Sequence, residues 1–223
     1  LVFLAGQMHA RRVDLDRGDR RGRRGVGCPG AGVDGVGVGA AGRGGQGAVL
    51  AGGILAAALV QEGKFVIAVP SFGFERRGAP VASFLRLDER EIRQMTNIYH
   101  PDCVICIDPT VSRSVNIFDG IRENATLVQT TSKPLAELQL PERIAAVGLC
   151  DAVSIALEIF KRPITNTLML GAFAKTTGLV SLDALRAAVE DSDFRDAGLR
   201  QNIEALERGF NETTVHRIER RVA

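Results

Sequence analysis

From residue 48 onward the hydrophobic positions fall into short blocks whose period alternates between helix and strand. Leu50, Ile54, Ala57 and Ala58 recur at helical spacing, and Leu55 and Leu59 widen the apolar face. That segment is expected as a helix buried against a sheet. "KFVIAV" follows as a strand that Pro70 is expected to close, and "VASFLRL" alternates as a further strand. Between them "PSFGFERRGAP", residues 70 to 80, has two prolines, two glycines and a charge triplet, the composition of a shaped loop. "DCVICID", residues 102 to 108, is a nearly continuous apolar run ending in a carboxylate. Such a run suits a central parallel strand whose C-terminal end faces a cleft. "IFDGIREN" leads by a helical turn into "ATLVQT", "RIAAVGL" is expected as the last strand, and Asp151 is placed to cap "AVSIALEIF".

After Thr165 the pattern predicts helices only. "NTLMLGAFAKTTG" ends at Gly178, and Ser181 is a suitable N-cap for "LDALRAAVE", with Asp183 in its first turn. Leu199, Ile203, Leu206 and Phe210 form one stripe on a last helix. The alternation predicts a three-layer α/β domain, a mostly parallel sheet with flanking helices and a helical C-terminal portion. No internal repeat is present.

Composition adds limits. With 223 residues, 45% hydrophobic and 24% charged, the chain is long enough for a proper globular core. No apolar run reaches the roughly 20 residues of a membrane span. "LVFLAG" is short for a signal-peptide core and its charges follow it, and four cysteines do not make a secreted disulfide scaffold. A reducing cytoplasm is the expected compartment. Residues 1 to 47 hold eight arginines and four aspartates, whereas the remainder holds 20 basic and 22 acidic side chains, so the body is not basic. Asp14, Asp16 and Asp19 interrupt the Arg11 to Arg24 run, which has no aromatic residue for base stacking. Nucleic-acid binding is therefore not expected.

Fourteen of the 25 glycines precede residue 48, so residues 1–39 are expected as a glycine- and arginine-rich arm, disordered apart from a strand near Val33 to Val38. The Arg/Gly/Ala/Asp bias also resembles GC-rich DNA translated outside its frame, which would make the arm non-native. The domain proper is assigned to residues 40–223.

The densest glycine cluster is "AAGRGGQGAVL", residues 40 to 50, in which Gly42, Gly44 and Gly47 satisfy G-x-G-x-x-G. The helix that follows aims its N-terminal amides at the loop, a geometry suited to a phosphate, although glycines also serve close helix packing. A stand-alone nicotinamide enzyme would want an acidic residue ending the next strand. Here that strand ends in Pro70 and Ser71, and Glu62 lies before it.

Four segments together, "GRGGQG", "PSFGFERRGAPVASFLR", "PDCVICIDPT" and "TNTLMLGAFAKTTGLVSLDAL", resemble the gamma subunit of the 2-oxoacid:acceptor oxidoreductases, the group containing pyruvate:ferredoxin oxidoreductase. The resemblance covers about residues 42 to 190. Upstream, where similar chains have a hydrophobic first strand, this one has "VDGVGVGAA".

The resemblance implies a complex that decarboxylates a 2-oxo acid on thiamine diphosphate with magnesium, passes electrons through iron-sulfur clusters to ferredoxin or NAD, and forms an acyl-coenzyme A. Pyruvate is the default substrate, and an aromatic acid such as phenylglyoxylate, or a branched or dicarboxylic 2-oxo acid, is equally compatible. This chain lacks a G-D-G motif, since "DGI" at 119 to 121 misses the first glycine. Cys103 and Cys106 are spaced C-x-x-C, but residues three apart on a strand point to opposite faces, and Cys28 and Cys150 are isolated. The cofactors are therefore expected on alpha-, beta- and delta-type partner subunits. What remains here is a noncatalytic subunit, either purely architectural or also lining the coenzyme A site. In the second case Arg43, Gln46 and the amides of Gly44, Gly45 and Gly47 would meet a phosphate of coenzyme A. Glu75, Arg76 and Arg77 would do likewise, or else form a solvated or intersubunit ion pair. Asp108 would contact a ligand or cap the next turn. His100 and His216 have no partner acid nearby in sequence and receive no catalytic role.

Overall fold

A computed structural model describes residues 35–43, 47–72, 80–94, 96–113, 115–192 and 198–218. Of the arm assigned to residues 1–39, residues 1–34 lie outside the described residues, and residues 36–39 belong to the first strand instead. The strands are β1 (Val36–Arg43), β2 (Phe65–Phe72), β3 (Pro80–Asp88), β4 (Cys103–Cys106), β5 (Ala125–Thr130), β6 (Ile144–Cys150) and β7 (Thr214–Arg217). The helices are α1 (Ala48–Gln61), α2 (Ala152–Phe160), α3 (Asn166–Thr177), α4 (Leu182–Glu190) and α5 (Leu199–Glu212). The strands form one sheet in the order β2-β3-β1-β4-β5-β6-β7. β1, β4, β5 and β6 pair in parallel, β3 is antiparallel to both β1 and β2, and β7 is antiparallel to β6. Five of the seven strands thus point the same way, as a mostly parallel sheet requires.

Alternation along the strands sorts two cores. Val36, Val38 and Ala40 of β1, Leu85 and Leu87 of β3, and Cys103 and Ile105 of β4 face the cluster that all five helices join. Val104, Cys106, Leu127 and Val147 face the other side. There the cover is irregular chain, with Ile117, Phe118, Leu135 and Leu138 packed on the sheet. Both faces of the central strands are therefore dry, which explains their unbroken apolar run.

Three details differ from the sequence-based expectation. The first strand begins at Val36, earlier than the boundary drawn at residue 40, and it lies inside the sheet between β3 and β4. Its glycines suit that place: a Cβ at Gly37 would lie 2.9 Å from the Ile98 side chain, so the apolar cover on that face comes from residues distant in sequence. β2 continues through Pro70 to Phe72, and its place at the sheet edge makes a proline tolerable. β7 follows α5 directly, where only helix was expected, and adds a four-residue antiparallel edge.

The caps conform. Asp151 accepts the Ser154 N–H and Ser181 accepts the Ala184 N–H, while Gly178 ends α3 in the left-handed region at φ 64°. α3 is the central helix, with eleven of its twelve residues buried, and α5 crosses it at very close range. A Cβ at Gly171 would lie 2.1 Å from the Leu206 carbonyl oxygen, and one at Gly209 would lie 2.1 Å from that of Leu168. Among the described residues no helix is long and apolar enough to cross a membrane.

Candidate functional site

β1 ends at Arg43 and α1 begins at Ala48, so the glycine loop leaves the sheet at the C-terminal end of a central strand. Gly47 is the N-cap residue of α1, at φ 76° and ψ 24°, a conformation that favours glycine. It makes no side-chain cap, and the first turn of α1 carries no acidic residue. The positive end of this 14-residue helix is therefore not offset by a carboxylate of its own first turn.

The N-terminus of α3 closes on the same point. A Cβ on Gly47 would lie 2.5 Å from Asn166 Nδ2, so glycine is required by space as well as by φ. Thr165 Oγ1 donates to the Ile107 carbonyl at 3.3 Å, which pins the start of α3 to the end of the β4 segment. Asn166 is only 4% exposed, and among the described residues its Oδ1 has no hydrogen-bond partner.

The stem of the loop is held from the other side by Arg43. Its Nε donates to Thr110 Oγ1 at 2.9 Å, its Nη2 donates to the Thr110 carbonyl at 3.2 Å, and its Nε lies 3.5 Å from Asp108 Oδ2. Asp108 in turn accepts the Thr110 N–H at 2.8 Å. Asp108 thus caps the turn after β4, one of the two roles expected for it, and anchors Arg43 as well. A phosphate meeting Arg43 would share it with Asp108.

The register of β1 and β3 supplies a relation that no local pattern contains. Arg43 is the pairing partner of Pro80, so the stems of the glycine loop and of the segment carrying Arg76 and Arg77 stand side by side. Asp108 follows β4 at the same edge. Of the predicted site residues, Arg43 and Gly47 are described and flank the loop. Gly44, Gly45, Gln46, Arg76 and Arg77 lie outside the described residues.

Glu62 is occupied elsewhere. It accepts the Ser181 N–H at 2.8 Å and Lys64 Nζ at 2.9 Å, joining the end of α1 to the start of α4. Burial pushes its carboxyl upward, but these hydrogen bonds outweigh it and hold the group below its ordinary value. A ribose-binding role would require breaking both.

The three described cysteines are buried and reduced. Cys103 belongs to the helix-side core and Cys106 to the opposite one, so the sheet separates the two thiols of the C-x-x-C pair. Burial first, and then the Asp108 carboxylate, push the Cys106 thiol up to about 12. No group of three or more His, Cys, Asp or Glu able to hold a metal ion occurs among the described residues.

Thr110, Thr165 and Asn166 are the site residues that sequence reasoning missed. Thr165 and Asn166 stand in the "TNT" that opens α3, but their partners lie 58 and 119 positions away, and spacing carries no signal of that kind.

The sequence pattern of the pyruvate ferredoxin/flavodoxin oxidoreductase family matches residues 38–212. The chain belongs to that family. It is 68% identical over 167 residues to the NADH-dependent phenylglyoxylate dehydrogenase subunit gamma of Aromatoleum evansii, covering 75% of this chain and 88% of the relative. It is 45% identical over 164 residues to the pyruvate/ketoisovalerate oxidoreductases common subunit gamma of Thermococcus kodakarensis, covering 73% and 88%. The crystal structure of the pyruvate oxidoreductase subunit PORC of Thermotoga maritima superposes with a TM-score of 0.69 at 34% identity, over 81% of this chain and 97% of that one. The gamma-subunit resemblance seen in four motifs is thus met by relatives that are themselves gamma subunits, and the match runs from within β1 to the end of α5.

Proposed function

We propose that the chain is the gamma subunit of a multisubunit 2-oxoacid oxidoreductase, and that the edge built by Arg43, Gly47 and the stem at Pro80 forms one wall of its coenzyme A site. The observation that carries this reading is the Arg43–Pro80 pairing, which brings the stems of the two arginine-bearing loops together beside the N-terminus of α1. Backbone amides at a helix N-terminus and guanidinium forks are complementary to a diphosphate. Gly44, Gly45 and Gln46 supply donors in the first loop, and Arg76 and Arg77 supply charge in the second.

In this reading thiamine diphosphate with magnesium and the iron-sulfur clusters sit on alpha-, beta- and delta-type subunits. The separation of Cys103 from Cys106 supports that division, because four convergent thiolates are needed for a cluster. The chain holds no catalytic residue and works in the cytoplasm. The 68% identical relative supports an aromatic 2-oxo acid as substrate and NAD as the electron acceptor, in preference to pyruvate and ferredoxin.

Replacing Arg43 and Gln46 with alanine in the assembled complex tests the wall. The KM for coenzyme A is expected to rise about tenfold, equivalent to ~1.4 kcal/mol, with kcat unchanged. An unchanged KM in an intact complex refutes the contact.

One observation favours a second, purely architectural reading: Arg43 is already engaged by Asp108 and Thr110. On that reading the same substitutions loosen the complex and leave the kinetics of the surviving fraction untouched.

A further inference from the structure

At the other end of the sheet, where β1 starts and β4 is about to start, a cavity of about 170 Å³ with a mixed polar and apolar lining opens between the strands and the segment before β4. Arg86, Gln94, Thr96, Asp102 and Arg122 line it. Two of these are charged groups taken almost wholly out of water, Arg86 at 8% exposure and Asp102 at 7%.

Their compensation is unequal. Asp102 Oδ2 accepts the Gly37 N–H at 2.8 Å, and its Oδ1 lies 3.7 Å from Arg122 Nε, which also donates to the His100 carbonyl at 3.2 Å. Burial raises the Asp102 carboxyl above its ordinary value, against the lowering effects of the Gly37 amide and Arg122. The carboxylate is therefore spoken for. Arg86 has neutral partners only: Nη1 donates to Gln94 Oε1, and Nη2 donates to the Thr96 carbonyl at 3.5 Å. Among the described residues no carboxylate pairs with it.

A buried guanidinium whose partners are all neutral bears a desolvation cost that an anion removes. The cavity beside it therefore holds two cations, one carboxylate and uncharged donors, an excess of one positive charge. Its size accommodates a few waters or a single group of four or five heavy atoms. The Arg fork presents parallel N–H donors to two oxygens at once, which suits a phosphate or a carboxylate.

We infer that this cavity binds one small oxyanion, with Arg86 as the principal ligand and Arg122 as the second. The site lies at the opposite end of the strands from Arg43 and is independent of the proposed coenzyme A wall. Occupancy would fix the start of β1 against the chain from Thr96 to Asp102, so its effect is on the stability of that end of the sheet.

Titration calorimetry of the purified full chain in a low-salt, phosphate-free buffer tests this with inorganic phosphate and, separately, acetate. The expected result is saturable binding of one anion per chain, weakened at least tenfold in Arg86→Gln and unaffected in Arg43→Ala. Should Arg86→Gln fail to fold, Arg122→Gln, at a position one-third exposed, is expected to weaken binding at least threefold. Binding of phosphate alone identifies a tetrahedral oxyanion, and binding of acetate with the same dependence on Arg86 or Arg122 identifies a carboxylate. Absence of saturable binding of either anion at millimolar concentration overturns the inference, as does binding that is lost in Arg43→Ala and kept in Arg86→Gln and Arg122→Gln.

Discussion

Arg43 Nε donates to Thr110 Oγ1 at 2.9 Å and thereby ties the last residue of a central strand to the turn that follows its parallel neighbour. Because Asp108 shapes that turn and also faces Arg43, one guanidinium sets the stem of the glycine loop. Arg43→Ala is expected to lower the stability of the chain by about 1 kcal/mol, the scale of a partly exposed charge-assisted contact. Thermal unfolding measures it, and a Tm unchanged within error contradicts the strut.

Gly47 and Asn166 form a coupled pair. Gly47→Ala forces a non-glycine residue to φ 76° and drives its Cβ into the Asn166 amide, at an expected cost of about 2 kcal/mol or more. Asn166→Ala removes an acceptor that has no partner among the described residues and opens room above Gly47, so it costs little by itself. In the double variant the Gly47→Ala penalty is expected to shrink toward the backbone term alone. Strict additivity in a denaturant-unfolding cycle would show that the contact carries no energy.

The crossing of α3 and α5 depends on two glycines. Gly171→Ala and Gly209→Ala each push a methyl into backbone atoms of the opposite helix, where no side chain can swing away. Each is expected to cost about 3 kcal/mol. Alanine's better helix propensity would stabilise by up to about 1 kcal/mol if the helices could separate freely. A gain in stability in either variant would refute the close packing.

The buried thiols make an alkylation prediction. Cys103, Cys106 and Cys150 should resist iodoacetamide in the folded chain at pH 8 and react on unfolding, as read by peptide mass spectrometry. The raised Cys106 value also has a sign for stability. Below the unfolded thiol's value of 9.0 its contribution is complete, and between there and about 12 it is lost as the unfolded chain ionises and the folded one does not. Cys106→Ala should flatten the fall in stability over that alkaline range.

The helices after Asp151 were legible because their caps and apolar stripes are local, and Asp151, Ser181 and Gly178 act where the pattern places them. β1 was obscured because its glycines are covered by Ile98 and Phe84, contacts that only the folded sheet creates. β7 escaped notice because four residues at an edge carry too little alternation to separate them from the end of a helix. At the site the glycine loop was visible as a motif, but the grip of Thr110 on Arg43 spans 67 positions and the seat of Gly47 on Asn166 spans 119. Neither has a sequence period. The C-x-x-C pair shows the reverse case, in which strand alternation alone placed the two thiols on opposite faces.

On the proposed reading this chain serves chemistry performed by other subunits. The most direct test of that reading is purification of the native assembly followed by mass-spectrometric identification of every chain in it and an assay of the separated chain. The assembly is expected to contain partners bearing thiamine-binding and ferredoxin-like sequences, and the isolated chain is expected to turn over no 2-oxo acid. A lone monomer that oxidises a 2-oxo acid unaided would contradict it.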